Sequence, residues 1–232
     1  MTEHTVKAFD DDINALRALI AEMGGLTENA IDNAMKALVT HDRALAHSVV
    51  EGDRRVDELD AQIEKLVVQT IALRAPMAND LREIIAALKI SGIVERMADY
   101  AKNIAKRVET VSTIRHIEPL SLLPSMAQIA REMAKAALDA FVARDAPKAL
   151  QVIERDRAVD DFYNSIFRTM VTFMMENPKT ISECAHIMFI AKNLERIGDH
   201  ATNIAEMVHY SVTGEKPAER EKATRVEAIS GD

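Results

Sequence analysis

Glu95-Arg96-Met97-Ala98-Asp99-Tyr100-Ala101-Lys102-Asn103-Ile104-Ala105 returns 100 positions later as Glu195-Arg196-Ile197-Gly198-Asp199-His200-Ala201-Thr202-Asn203-Ile204-Ala205, with seven of eleven places identical. Apolar residues recur at helical spacing through Ile93, Met97, Ala101, Ile104 and Val108, and again through Ile190, Leu194, Ile197, Ala201, Ile204 and Val208. That period predicts an amphipathic helix in each copy. Glu95 and Asp99 stand two residues either side of Met97, so helix geometry turns both away from the stripe to which Met97 belongs. The same holds for Glu195 and Asp199 around Ile197. Each helix is therefore expected to carry a Glu-x-x-x-Asp pair, one turn apart, on its non-core face.

The duplication extends outward from these stretches. Glu51-Gly52-Asp53-Arg54-Arg55-Val56-Asp57 matches Glu154-Arg155-Asp156-Arg157-Ala158-Val159-Asp160 at five places in seven. A first helix is expected over residues 6–38, with Gly24-Gly25 interrupting or bending it. Asp42 is placed as the N-cap of a second helix that ends near Ala75-Pro76. Asp80 and Glu83 have the spacing of a capping box for a third helix reaching about Val111. Pro119 and Pro124 mark entry into the second half, Asp145 repeats the role of Asp42, and Asn177-Pro178 turns the chain. Thr180 and Glu183 repeat the capping box, and Gly214 and Pro217 stop the last helix. The expected fold is all-α, with six long helices forming two pseudo-symmetric three-helix bundles. The expected division is a first repeat over residues 1–115, a second over 116–213, and a disordered polar tail over 214–232.

Composition narrows the function. Of 232 residues, 48% are hydrophobic, 28% charged and only 4% aromatic, with seven glycines and six prolines, which suits a globular helical chain. Cys184 is the single cysteine, so no intrachain disulfide can form, and a reducing cytoplasm is expected. The net charge of −8 argues against a nucleic-acid partner, since phosphate backbones need a basic face. No apolar run approaches membrane-spanning length, so any membrane association is expected to come through partners.

Hairpin arithmetic brings the acids together. The midpoint between residues 55 and 97 is Pro76, and that between 158 and 197 falls beside Pro178, both at turns. Antiparallel helices rise equally from their turn, so the pairs meet at one height. Asp53, Asp57, Glu95 and Asp99, with Asn103, are expected to converge in one lobe. Asp156, Asp160, Glu195 and Asp199, with Asn203, converge in the other. Bare carboxylates in that number repel; a bound hard cation offsets the repulsion, and the oxygen donors suit magnesium, manganese, iron or calcium. Zinc is less natural without cysteine, although His200 could join in the second lobe. The competing account is a solvated salt-bridge lattice with Arg54, Arg96, Arg157 and Arg196. Glu183-Cys184-Ala185-His186 has the Glu-x-x-His form of ferritin-like bundles, but the first half has Ala86 where His186 stands, and a structural role is expected. Phe167, Met170, Phe173, Met174 and Met175 make the fifth helix apolar on several sides, read here as lobe–lobe core. A dimer or partner surface is the alternative.

Arg74-Ala75-Pro76-Met77-Ala78-Asn79-Asp80-Leu81-Arg82, followed by the two acidic stretches, closely resembles the PhoU family of phosphate-regulation proteins. The likeness covers the chain to about Val212. It implies a cytoplasmic, homodimeric, non-enzymatic regulator linking the ATPase of the phosphate ABC transporter to a phosphate-sensing histidine kinase. It further implies repression of phosphate-starvation genes when phosphate is plentiful. The family's E(D)-x-x-x-D motifs carry metal ions, magnesium, manganese, iron or zinc among the candidates, and fall on the eight acids named above. A metal-dependent enzyme of the ferritin-like class and a metal-free structural adaptor remain the alternatives.

Overall fold

The computed structural model describes residues 3–111 and 121–218, with side chains from residue 8 onward. Among the described residues there are seven α-helices: α1 (Glu3–Thr40), α2 (Arg43–Arg74), α3 (Asn79–Ala105), the short α4 (Val108–Val111), α5 (Leu122–Ala143), α6 (Ala146–Glu176) and α7 (Ile181–Thr213). Among the described residues there is no strand. Helices α1, α2 and α3 pack on one another, as do α5, α6 and α7, and the two sets meet through α3 against α7 and α1 against α5. The all-α expectation of six long helices in two pseudo-symmetric bundles is borne out. The proposed boundary at 115/116 and most of the tail lie outside the described residues.

Local chemistry explains two of the starts. Asp42 accepts a hydrogen bond from the Leu45 amide at 2.9 Å, and Asp145 accepts one from Lys148 at 2.9 Å, so equivalent caps open α2 and α6. The two expected capping boxes do not form. Ala78, at φ 48°, precedes α3 with no side-chain cap, leaving Asp80 in the first turn, where its charge suits the helix dipole. Thr180 donates instead to the Asn177 carbonyl at 2.7 Å. Glu83 is buried and receives the Arg17 guanidinium at 2.9 and 2.5 Å, with Arg144 at 3.5 Å. It joins α1, α3 and the α5–α6 turn.

The core is continuous through both bundles, from Leu16, Ile20 and Ile63 to Ile187, Ile190 and Ile204. The two bundles share one core because α1 and α3 are apolar on the side that faces α5 and α7. Gly24 does not interrupt α1. A Cβ there would stand 2.5 Å from Leu138 Cδ1, so the missing side chain lets α1 and α5 approach. Asp32 and Arg131 pair across the same contact at 3.0 Å. Met170 is fully buried and Phe173 and Met174 pack against the core, whereas Met175 is exposed. The expected lobe–lobe role is not what they fill: α6 packs on α5 and α7, within its own bundle.

Candidate functional site

The acids of α2 and α3 do meet, though not on an outward face. Buried residues of α2 recur at Ala46, Val49, Asp53, Val56, Leu59, Ile63, Val67 and Thr70, a three-and-four spacing that places Asp53 on the seam itself. Asp53 is only 8% exposed. Its helix is packed on two sides, by α1 and α3, and this widens the buried arc to take in Asp53 as well as Leu59. Asp156 holds the equivalent place in α6 and is likewise buried. Glu195 is 3% exposed because α7 is covered by α3, α5 and α6 together. Asp57 stays exposed, while Glu95, Asp99, Asp160 and Asp199 are partly buried.

A residue that sequence reasoning passed over sits at the centre of the first cluster. The Lys102 ammonium donates to Asp53 and to Asp99, the latter at 2.7 Å. Burial alone would lower its pKa, but these two hydrogen bonds outweigh that and hold it above the ordinary lysine value. Around this ion pair the remaining acids feel one another. Desolvation, then repulsion from Asp53, raises Asp57; desolvation, then repulsion from Asp99 and Asp57, raises Glu95. Asp53 also borders a cavity of about 160 Å³ shared with Asn33 and Ser48. The signal for Lys102 was present in the repeat, since it follows Glu95 by seven and Asp99 by three on one helix face.

The second copy differs at that place. Thr202 stands where Lys102 does, buried, its Oγ1 without a hydrogen-bond partner among the described residues. Glu195 is met from its own helix, by Lys192 at 2.7 Å to each carboxylate oxygen. Lys192 also lies 5.0 Å from the Tyr163 ring centroid. α7 presses on α6 at Gly198, where a Cβ would be 3.2 Å from Val159 and 3.4 Å from Asp156 Oδ1. Among the described residues no three or more His, Cys, Asp or Glu side chains are arranged as a metal site. In the first lobe Lys102 takes the space and the charge that a cation would supply.

Other expected participants belong elsewhere. His200 stacks on Tyr100, with ring centroids 5.4 Å apart, so residues 100 apart in sequence meet across the lobe boundary. Desolvation, reinforced by Arg96, lowers the His200 pKa. Asn203 lines a groove between α3 and α7 rather than the acidic face. Arg54 pairs with Glu58 and Arg196 lies 5.7 Å from the Tyr100 ring, so neither makes the anticipated lattice. Arg107 donates to His186 Nδ1 at 2.9 Å and covers the Phe189 ring at 4.2 Å, giving His186 the structural role foreseen for it.

This arrangement defines a class: a duplicated three-helix unit, fused face to face, with acidic pairs on the hairpin helices of each copy. The PhoU domain pattern matches residues 20–108 and 123–208. A Zymomonas mobilis protein described as a phosphate-specific transport system accessory protein PhoU homolog is 54% identical over 98% of this chain and 96% of its own. The crystal structure of PhoU from Pseudomonas aeruginosa superposes with a TM-score of 0.86 at 36% identity, covering 89% of this chain and 100% of that one. That of the phosphate transport system regulatory protein PhoU from Streptococcus pneumoniae gives 0.84 at 26% identity, over 90% and 99%. The chain belongs to the PhoU family.

Proposed function

We propose that this protein is a cytoplasmic, non-enzymatic regulator of phosphate homeostasis. In this reading it links the ATPase of a phosphate ABC transporter to a phosphate-sensing histidine kinase and holds phosphate-starvation genes off when phosphate is plentiful. The observation that carries the reading is that both halves match the family pattern in a chain sharing nearly its full length with a phosphate-transport accessory protein. No helix among the described residues is long and apolar enough to cross a membrane, so contact with a transporter would be through its soluble parts. The α2–α3 hairpin tip leaves Leu73 and Met77 exposed, an apolar end suited to a partner surface or to pairing as a homodimer. Deleting the gene is expected to switch on phosphate-uptake genes in phosphate-rich medium. Unchanged transcription there would oppose the reading.

Metal ions belong to the same proposal. Asp53, Asp57, Glu95 and Asp99 in one lobe, and Asp156, Asp160, Glu195 and Asp199 in the other, offer hard oxygen donors of the kind magnesium, manganese or iron would take. Binding would proceed by exchange, the cation displacing the ammonium groups of Lys102 and Lys192 that neutralise the acids. Titration calorimetry with manganese, in protein stripped with chelator, tests it.

A further inference from the structure

A groove of about 1160 Å³ runs between α3 and α7, closed at one end by the segment after α7. Lys89 and Arg96 line it from α3, His200, Asn203 and Glu206 from α7, and Lys216 from the closing segment. Three cations face one carboxylate in a chain whose net charge is −8, so the groove is a locally positive concavity on an acidic protein. Concave walls focus such a field toward an anion. Lys89, Arg96 and Lys216 make no ion pair among the described residues. Elsewhere the structure does pair its cations, as with Arg17, Arg55, Arg74 and Lys102.

The groove also holds directional polar groups. Both His200 ring nitrogens are shielded from solvent and meet no hydrogen-bond partner among the described residues. A buried ring nitrogen without a partner is costly, and a ligand group that reaches it removes the cost. Open space beside Gly92 deepens the wall, since a Cβ there would meet nothing within 4 Å. Leu88, Met207 and the half-exposed Tyr210 ring supply an apolar side. A bare oxyanion would leave that side wet and most of the volume unused. Small-molecule sites run to about 1,000 Å³ and combine an apolar lining with a few placed polar groups.

We propose that the α3–α7 groove binds an organic phosphate of the nucleoside-phosphate class, its phosphate oxygens held by Lys89, Arg96 and Lys216 and its base against Tyr210 and Met207. His200 and Asn203 stand beside it as donor and acceptor groups for the base or sugar. Arg is suited to the phosphate because its planar fork meets two oxygens at once. The site spans both copies of the repeat, so it exists only in the fused chain.

Titration calorimetry of the full chain in chelator, with AMP and ATP as probes and inorganic phosphate as competitor, tests the assignment. Saturable nucleotide binding is expected, weakened by added salt. Lys89→Ala with Arg96→Ala should weaken it by about tenfold or more, each charge-assisted hydrogen bond being among the stronger ones. Tyr210→Ala should weaken nucleotide binding by several-fold, about what a lost ring stack gives, without changing any phosphate binding. All three side chains are exposed, and circular dichroism checks that the variants fold. Absence of nucleotide binding, unchanged affinity in the double variant, or inorganic phosphate competing as well as AMP would each overturn the proposal.

Discussion

Replacing Lys102 by methionine keeps most of the length of the side chain and removes the charge that Asp53 shares. Breaking a buried pair by deleting one partner costs about 3–5 kcal/mol, because the other charge stays desolvated. Here the Asp53 side chain is 7% exposed, but Lys102 is 23% and Asp99 is 42% exposed. The adjoining cavity also lets water reach Asp53, so a loss of about 2–3 kcal/mol is the better figure. For a chain of this size each kcal/mol moves the midpoint by about 2–4 °C, giving a fall of about 4–12 °C at pH 7. The pH dependence has a definite sign. Without Lys102 the Asp53 carboxylate stays desolvated with no ammonium beside it, and that penalty is present at neutral pH. In the parent, Lys102 is raised above its ordinary value of 10.5, so its contribution is whole below that pH and is lost as pH climbs through the folded value. The gap between parent and variant should therefore be whole at neutrality and begin to narrow only above about pH 10.5. Asp53→Asn added to Lys102→Met should recover at least half of the loss. Thermal unfolding by circular dichroism from pH 4.5 to 11 reads all of this. A variant within 0.5 kcal/mol of the parent, with a gap indifferent to pH, would show that Lys102 does not neutralise Asp53.

Lys102→Thr copies the second lobe into the first and, by removing the competing ammonium, should tighten manganese binding there in a calorimetric titration, whereas Asp57→Asn with Asp99→Asn should empty the first lobe only; no difference among the three proteins would refute the exchange. Glu83→Ala strands Arg17 and Arg144 and should cost about 2–4 kcal/mol, read as a lower urea midpoint; a neutral result would mean the ion pairs are broken in solution. Gly24→Ala should cost about 1–3 kcal/mol by crowding Leu138, and noticeably less beside Leu138→Val, which lacks the Cδ1 atom it meets; equal costs in both backgrounds would place the strain elsewhere. His186→Ala should leave manganese stoichiometry unchanged, and a lost site would assign His186 to the metal.

The repeat and its punctuation were readable because they are local. Asp42 and Asp145 cap helices three residues away, and Pro76 and Pro178 sit at turns whose neighbours fix the register. Glu83 was misread for the opposite reason: its partners Arg17 and Arg144 lie 66 and 61 positions away, and a capping box was the nearest explanation in sequence. The burial of Asp53 and Asp156 is not legible from spacing, because two apolar stripes compete on α2. Centred on Leu59 the acid faces outward, and centred on Val49 and Val56 it lies on the seam. Helix spacing alone cannot choose between them when a helix is packed on two sides. His200 was drawn to the acids because it follows Asp199, yet one residue is a turn of 100°, enough to send its ring to Tyr100. The difference between Lys102 and Thr202 was visible in the opening alignment. Its meaning depended on the reach of a lysine side chain to a second helix, which a spacing pattern does not encode.

The stacking of Tyr100 on His200 has a consequence for how such a chain can change. In a homodimer built from one three-helix unit, a residue on the rotation axis faces its own copy, and any substitution there is made twice at once. Tyrosine would have to tolerate tyrosine, and histidine would have to tolerate histidine. Joining the two units in one polypeptide lifts that restriction: one side of the axis can be rewritten while the other is kept. An aromatic phenol against an imidazole is a pairing that identical subunits could not present at their axis. The fused chain thereby acquires two distinguishable faces, one beside Arg96 and one beside Arg196, and with them the means to meet two different neighbours.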